Sequence, residues 1–385
     1  MLEEVKIPVL YFHSIAPYQH PQWVNSFLTL EVKYFEAVVR MLARRKHRFL
    51  DLDEYLEIRS KPALAGKGRY VCLTFDDGYL DNYVFAYPIL KKFKAKGTIF
   101  VNPALVQIEG RLRDTLDDCA RSGQDTSDLD FLGYCNWQEL AVMDKSGVMD
   151  IQSHSLTHTK VFSSDGIREF HHPSAKWLYP IWNRYPERAP YYATDREFKR
   201  LLPYGTPFFE EKSSLICRIH QINPDFEAET VDALQFNDWN RYDFQTCWKQ
   251  ISKIYSSYRK QDSLISHVES ESDYQQRIHR EIFLSKSILD EKLRKSVHHI
   301  CWPHGDYTSK CHELALEAGY LSSLLVRKDG GNEYYADRFD RIGVGPVSSS
   351  RSLTNIRLIS KIGVFRGQFL YKRVANLYHF IKHGK

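Results

Sequence analysis

The sequence predicts an α/β fold: a distorted, seven-stranded (β/α) barrel carrying a large insertion. Short apolar stretches rich in β-branched and aromatic residues alternate with longer segments of helical spacing, which implies a parallel sheet. The chain has 385 residues, long for one ordinary domain but acceptable for a barrel with an insertion. Four unusual clusters each follow an apolar stretch: His13, Asp76-Asp77, His154 to His158, and Pro303 to Tyr307. In barrels of this kind chemistry collects where strands end.

The elements are expected in this order. Val5 to Phe12 is a strand ending at His13. Glu31 to Lys46 is a helix with Phe35, Val38, Val39 and Leu42 on one face. Arg48 to Leu50 is a short strand and Leu52 to Ile58 a short helix. From Val71 to Gly78, Val71, Leu73 and Phe75 alternate with Cys72 and Thr74, so a buried strand ends in two adjacent carboxylates. Gly78 breaks it, and Tyr79 to Lys96 has helical spacing. Thr98 to Val101 is another buried strand, and Gln107 to Asp130 a polar loop with a helical turn. Trp137 to Lys145 is a helix stopped by Gly147, and Val148 to Ser153 a strand running into His154.

Residues 162–263 break the rhythm and are expected to cap the barrel as an aromatic-rich insertion. Within it Glu227 to Lys260 looks helical. The barrel is thus divided into a first part, 1–161, and a second, 264–345, followed by a C-terminal tail, 346–385. In the second part Tyr274 to Ser296 is a helix and His299 to Trp302 a strand. Ser309 to Ala318 is a helix stopped by Gly319. Leu321 to Val326 and Arg341 to Val344 are the last strands.

Composition bounds the class. Hydrophobic residues at 43% and charged residues at 26% imply a large soluble core. The seven cysteines are scattered, odd in number and without a CxxC pair, which argues against a disulfide framework and fits a reducing compartment. Met1 is followed by Leu-Glu-Glu rather than a basic segment and an apolar run, so a cytoplasmic location is expected. The net charge of +5 is uneven. The tail holds eight Lys or Arg and no Asp or Glu, leaving 45 basic against 48 acidic residues elsewhere.

Two aspartates side by side repel each other, and a metal ion is the common remedy. One carboxylate then binds the ion while the other stays free as a base. The bland alternative is an Asp-Asp-Gly turn. His154 and His158, four apart, would lie on one face of a helical turn and could hold one ion. Two His and one Asp leave a position open for water, and zinc is the expected metal. The combination suits hydrolysis of an amide or ester. The alternative, two surface or core histidines, is real in a chain with 16 of them, but only this pair directly follows an apolar strand.

Thr74-Phe-Asp-Asp-Gly78 together with His154-Ser-Leu-Thr-His158 resembles the first two motifs of the polysaccharide deacetylases, the NodB-type domain of carbohydrate esterase family 4. Ile7 to Ile15 resembles the opening strand of the branch that includes poly-N-acetylglucosamine deacetylases. Cys301-Trp-Pro-His-Gly-Asp-Tyr307 is similar to that branch's Pro-Tyr-Gly motif, and Arg341-Ile-Gly-Val to its closing strand. The resemblance covers roughly residues 5 to 160 and 273 to 345. It implies Asp76 as general base, His13 as general acid, and Asp77, His154 and His158 as metal ligands. It implies the backbone N–H of His304 as oxyanion donor, with Pro303, Tyr307 and Arg341 beside the substrate. His304 stands where the family has Tyr, and Cys301 where the broader family has the Arg that orients the base. Arg341 is the one candidate for that lost role.

The resemblance therefore implies a metal-dependent N-deacetylase acting on an N-acetylated sugar in a polysaccharide or glycan precursor. The alternatives are a non-catalytic carbohydrate-binding relative and a metal hydrolase of a non-sugar amide. The aromatic loop from Trp177 to Tyr192 is expected to line the cleft, or else to form the insertion's own core. Gln368 to Lys382 could form a basic amphipathic helix at the inner membrane face, where glycan precursors are built on lipid carriers. The alternative is a helix docked on the barrel. No nucleic-acid partner is expected, because no recognised binding motif accompanies the basic tail.

Overall fold

Seven parallel strands close into a ring in chain order in this computed structural model. It describes residues 6–66, 68–108, 110–176, 179–191, 199–235, 238–326, 337–344, 351–368 and 371. The strands are β1 (Val9–Phe12), β2 (Arg69–Phe75), β3 (Gly97–Val101), β4 (Met149–Ser153), β5 (His299–Cys301), β6 (Ser322–Val326) and β7 (Arg338–Gly343). Closure comes from β1, which pairs with β2 at Leu10↔Leu73 and with β7 at Leu10↔Ile342. An eighth strand, His47–Leu50, runs parallel to β2 beside its first half.

The ring is distorted at one seam. β4 and β5 share only the pair Ile300↔Ser153. There the Gln152 Oε1 accepts hydrogen bonds from the N–H groups of His298 (2.9 Å) and His299 (2.8 Å), so a side chain replaces missing ladder bonds.

The period-two pattern sorts the side chains. Val9, Cys72, Phe100, Cys301, Leu324 and Phe339 form a small inner cluster with Leu52, Tyr55 and Ile58 of the helix Leu52–Ser60. Leu10, Phe12, Leu73, Phe75, Ile99, Val101 and Ile151 belong to the larger outer core beneath the surrounding helices. β2 thus sends Cys72 and Thr74 to the inside, and Asp76 follows on the same face.

The expected helix from Tyr79 starts at Leu80 and widens to a π-helical stretch at Asn82–Ala86 before the helix Tyr87–Lys92. Pro88 follows the widened stretch and has no N–H to donate. The segment expected as one helix from Glu227 is two: Pro224–Leu234, and Phe244–Lys260 capped by Asp243.

The insertion opens with an antiparallel hairpin, Lys160–Phe170 with Pro207–Ser213. It has its own apolar clusters, one around Phe209, Phe226 and Leu264 and another around Phe170, Leu234 and Ile251. A third cluster joins it to the barrel loops: Ile181, Trp182, Leu202 and Phe208 pack with Trp23, Tyr79, Leu105 and Tyr134. The long helix Glu271–Leu293, capped by Ser270, returns the chain to the barrel.

The first half of the basic tail is a docked helix, Arg351–Phe365. Leu358 and Ile362 are buried in the outer core. Burial of each contributes about 1.5–3 kcal/mol. Lys361 Nζ donates to the Gly343 carbonyl at 2.7 Å. Apart from Gln368 and Tyr371, the expected helix from Gln368 to Lys382 lies outside the described residues. Among the described residues no helix is long and apolar enough to cross a membrane.

Candidate active site

Asp76 and Asp77 follow β2 and diverge. Asp77 adopts φ 73° and Gly78 φ 72°, two left-handed residues in succession. For a non-glycine that conformation costs about 1–2 kcal/mol. Gly78 is needed for room as well, since a Cβ there would meet Val101 Cγ2 at 3.3 Å. The turn points Asp76 to the barrel axis and Asp77 to the histidine segment. The turn and the site are therefore the same feature.

Asp76 is 3% exposed and held by Arg341 from β7, Nη1 to Oδ1 at 2.6 Å and Nη2 to Oδ2 at 2.8 Å. Arg341 also donates to Thr74 Oγ1 at 3.3 Å and lies over the Tyr11 ring. Burial pushes the Asp76 carboxyl up, but the Arg341 guanidinium and the His154 imidazole outweigh it and hold its pKa below the usual value. Arg341 thus supplies the charge that Cys301 lacks; the Cys301 thiol lies 3.9 Å from Asp76 Oδ1. His13 Nε2 stands 3.7 Å from Asp76 Oδ2.

Asp77 Oδ1 lies 3.3 Å from His154 Nε2 and 3.3 Å from His158 Nε2. It is buried and has no hydrogen-bond partner. Three donor atoms converge there without satisfying one another, so the set fits a divalent cation. His154 Nδ1 donates to the Cys301 carbonyl at 2.8 Å, which directs Nε2 at Asp77. Burial pushes its pKa down, but the Cys301 and Asp77 contacts outweigh it and hold the pKa above the ordinary value, so a bound cation would displace the Nε2 proton. Burial, against the pull of Asp77, pushes His158 down to a pKa of about 4, so its imidazole is neutral near pH 7.

His154 to His158 is not the expected helical turn. Ser155 has φ 61° and His158 φ 57°, which no helix permits. The segment is an irregular loop, and other side chains hold it. Asn102, at the end of β3, donates to the carbonyls of His154 and of Ser155. Glu281, buried on the helix Glu271–Leu293, accepts from Leu156 N at 3.1 Å, Thr157 N at 3.1 Å and Thr157 Oγ1 at 2.6 Å. Trp182 stacks parallel to His158, with centroids 6.3 Å apart.

His304 is left-handed, at φ 59° and ψ 4°. None of the described residues accepts from its N–H. Its ring packs 4.3 Å from that of His158, and its buried Nε2 has no partner. Burial pushes its pKa well down.

These groups line a cleft of about 260 Å³. Of the residues expected at the site, His13, Asp76, Asp77, His154, His158, His304 and Arg341 line it. Pro303 and Tyr307 do not. Pro303 is buried, and Tyr307 stacks on Trp302 at 5.6 Å, behind the wall. From the aromatic loop, Tyr179 reaches the cleft and Trp182 backs His158; Trp177 and Tyr192 lie outside the described residues. Phe27, 62% exposed, and Lys160 complete the rim. The sequence reading missed these two, along with Asn102 and Glu281. Nothing in their neighbours sets them apart from ordinary surface and helix residues.

Residues 64–189, which contain both the aspartate turn and the histidine loop, match the family model for polysaccharide deacetylase. Over that span the chain is similar to the polysaccharide deacetylases. The chain is 37% identical over 99 residues to the Bacillus subtilis (strain 168) protein YxkH, whose name places it among the polysaccharide deacetylases. The match covers 25% of this chain and spans about a third, 32%, of that relative. A de-N-acetylase from Aggregatibacter actinomycetemcomitans superposes with a TM-score of 0.51 at 13% identity, over 91% of this chain and 98% of that one. The likeness is one of fold. The Streptococcus pyogenes deacetylase PplD, solved with acetate, gives 0.48 at 17% identity over 92% and 97%.

Proposed function

We propose that the protein is a metal-dependent N-deacetylase that hydrolyses the acetamide of an N-acetylated sugar in a polysaccharide or glycan precursor. One observation carries the reading: the two adjacent carboxylates are divided, Asp76 clamped by Arg341 and Asp77 set with its partnerless Oδ1 between two imidazoles. The domain family supports the sugar acetamide as substrate class.

Asp77, His154 and His158 hold a divalent cation, with zinc favoured by the mixed oxygen and nitrogen donors. When bound, such an ion lowers the pKa of water and polarises a carbonyl oxygen. Asp76, kept ionised by Arg341, takes the proton from the attacking water. The His304 N–H, turned out by its left-handed backbone, donates to the oxyanion. His13 donates a proton to the departing amine, which leaves poorly without one. Phe27 and Tyr179 offer flat faces for the sugar ring.

The test is amine release from a panel of acetamido sugars, with protein stripped of metal and then reloaded. Turnover that returns only with a divalent ion supports the reading. Release that is indifferent to metal, or absent from every sugar while a non-sugar acetamide is cleaved, overturns it.

A further inference from the structure

A second pocket lies at the other end of the barrel. Arg69 opens β2, whereas Asp76 follows its last residue. Seven residues of strand separate the two by roughly 20 Å. The pocket measures about 130 Å³. It lies between the helix Val32–Arg44, the start of β2 and the docked C-terminal helix.

Its polar lining is cationic. Arg45, Arg69 and Arg366 line it with His47 and Gln368, and no carboxylate does so among the described residues. Two of them bond backbone carbonyls: Arg69 Nη1 donates to Arg45 O at 3.5 Å, and Arg366 Nη2 to Tyr70 O at 3.2 Å. No Asp or Glu follows Asp340 in the sequence, so no acidic side chain of the C-terminal segment can neutralise the cluster.

A run of positive charge is ordinarily a solvated face. Here two features oppose that. Arg366 is half-buried, and burial with the charge of Arg69 lowers its pKa. His47 Nδ1 donates to the Leu42 carbonyl at 3.1 Å, while its buried Nε2 has no partner. Arg45 and Arg69 are exposed at the pocket mouth beside the half-buried Arg366, and like charges brought together there raise the free energy of the protein unless a counter-charge joins them. Leu42, Ile362 and Tyr371 form the apolar remainder of the wall. Gly363 makes room for Tyr371, whose Cγ lies 2.2 Å from where a Cβ would be.

We propose that this pocket is a binding site for a phosphoryl group, held by the forked guanidinium donors of Arg45, Arg69 and Arg366. Arginine forks match phosphate oxygens in pairs, and three of them converge on one small space. The group belongs either to a small soluble phosphate or to a phospholipid headgroup. The site is separate from the deacetylase cleft and stands whether or not the proposed reaction does.

The test uses the full chain and the double variant R45Q/R69Q. Titration calorimetry follows inorganic phosphate and pyrophosphate. Co-sedimentation follows phosphatidylcholine vesicles with and without phosphatidic acid. The wild-type chain should bind at least one of these saturably, more weakly as sodium chloride rises. Binding in solution assigns a soluble ligand, and binding only to phosphatidic acid vesicles assigns a headgroup. R45Q/R69Q should weaken binding by about tenfold or more, while its circular dichroism and sugar turnover stay at the wild-type level. No saturable binding to any probe, or equal binding by the folded double variant, overturns the proposal.

Discussion

Replacing Asp76 by asparagine keeps the side-chain volume but removes the charge beside Arg341. The Asp76→Asn variant should retain a full equivalent of metal and lose roughly 10²-fold or more in kcat. Metal analysis and steady-state kinetics on the same preparation check both halves. Arg341→Met is the harsher change, because it strands a buried carboxylate. Loss of one partner of a buried pair costs about 3–5 kcal/mol, measurable by urea unfolding. The pH dependence has a definite sign. The native pKa of Asp76 lies below its ordinary 3.8, so the ionised pair adds stability above that value and loses it as pH falls through the native pKa. Without Arg341 the carboxyl titrates higher, and the acid limb of the kcat/KM profile should move to higher pH. An unmoved limb would remove Arg341 from its orienting role. At this scale the sequence was informative wherever chemistry is local: Asp76-Asp77 and His154 with His158 stand out as short motifs. Arg341 was only a candidate, because a partner on the far side of a closed ring leaves no mark in neighbouring residues.

The histidine loop depends on contacts from two other elements. Asn102 holds it from β3 and Glu281 from the long helix. Glu281→Gln turns one acceptor into a donor facing the N–H groups of Leu156 and Thr157. Supporting groups behind metal ligands are typically worth 10–100-fold in affinity, so Glu281→Gln should weaken metal binding by about that range. A competitive chelator titration reads it, with circular dichroism as the control for folding. Unchanged affinity would make the clamp dispensable. The spacing of the two histidines was legible but their backbone was not. Four-residue spacing suits a helical turn, yet left-handed Ser155 and His158 bring the rings together another way. The strands and the helices Trp137–Lys145 and Ser309–Glu317 were read nearly to their ends, because periodicity and end signals agree there. The insertion was read less well. Its hairpin mixes aromatic and charged residues, and its partner strands are about 40 residues apart.

For the molecule as a whole, the proposed metal would link site occupancy to fold stability. A ligand present at 100 times its Kd stabilises the native state by about 2.7 kcal/mol. Removing metal should therefore lower the Tm of the wild-type chain by several degrees and leave His158→Ala, which should hold no metal, almost unchanged. Calorimetric scans with and without chelator make the comparison. Equal shifts in both would separate the ion from these ligands. The order of the ring also bears on how the protein is made. β1 joins β2 early, but β7, with Arg341, leaves the ribosome after nearly nine-tenths of the chain. Until then Asp76 has no counter-charge and the ring has an open edge. On the proposed reading a nascent chain stays inactive until the ring closes, and any product truncated before residue 341 carries both sequence motifs of the site without the guanidinium that clamps Asp76.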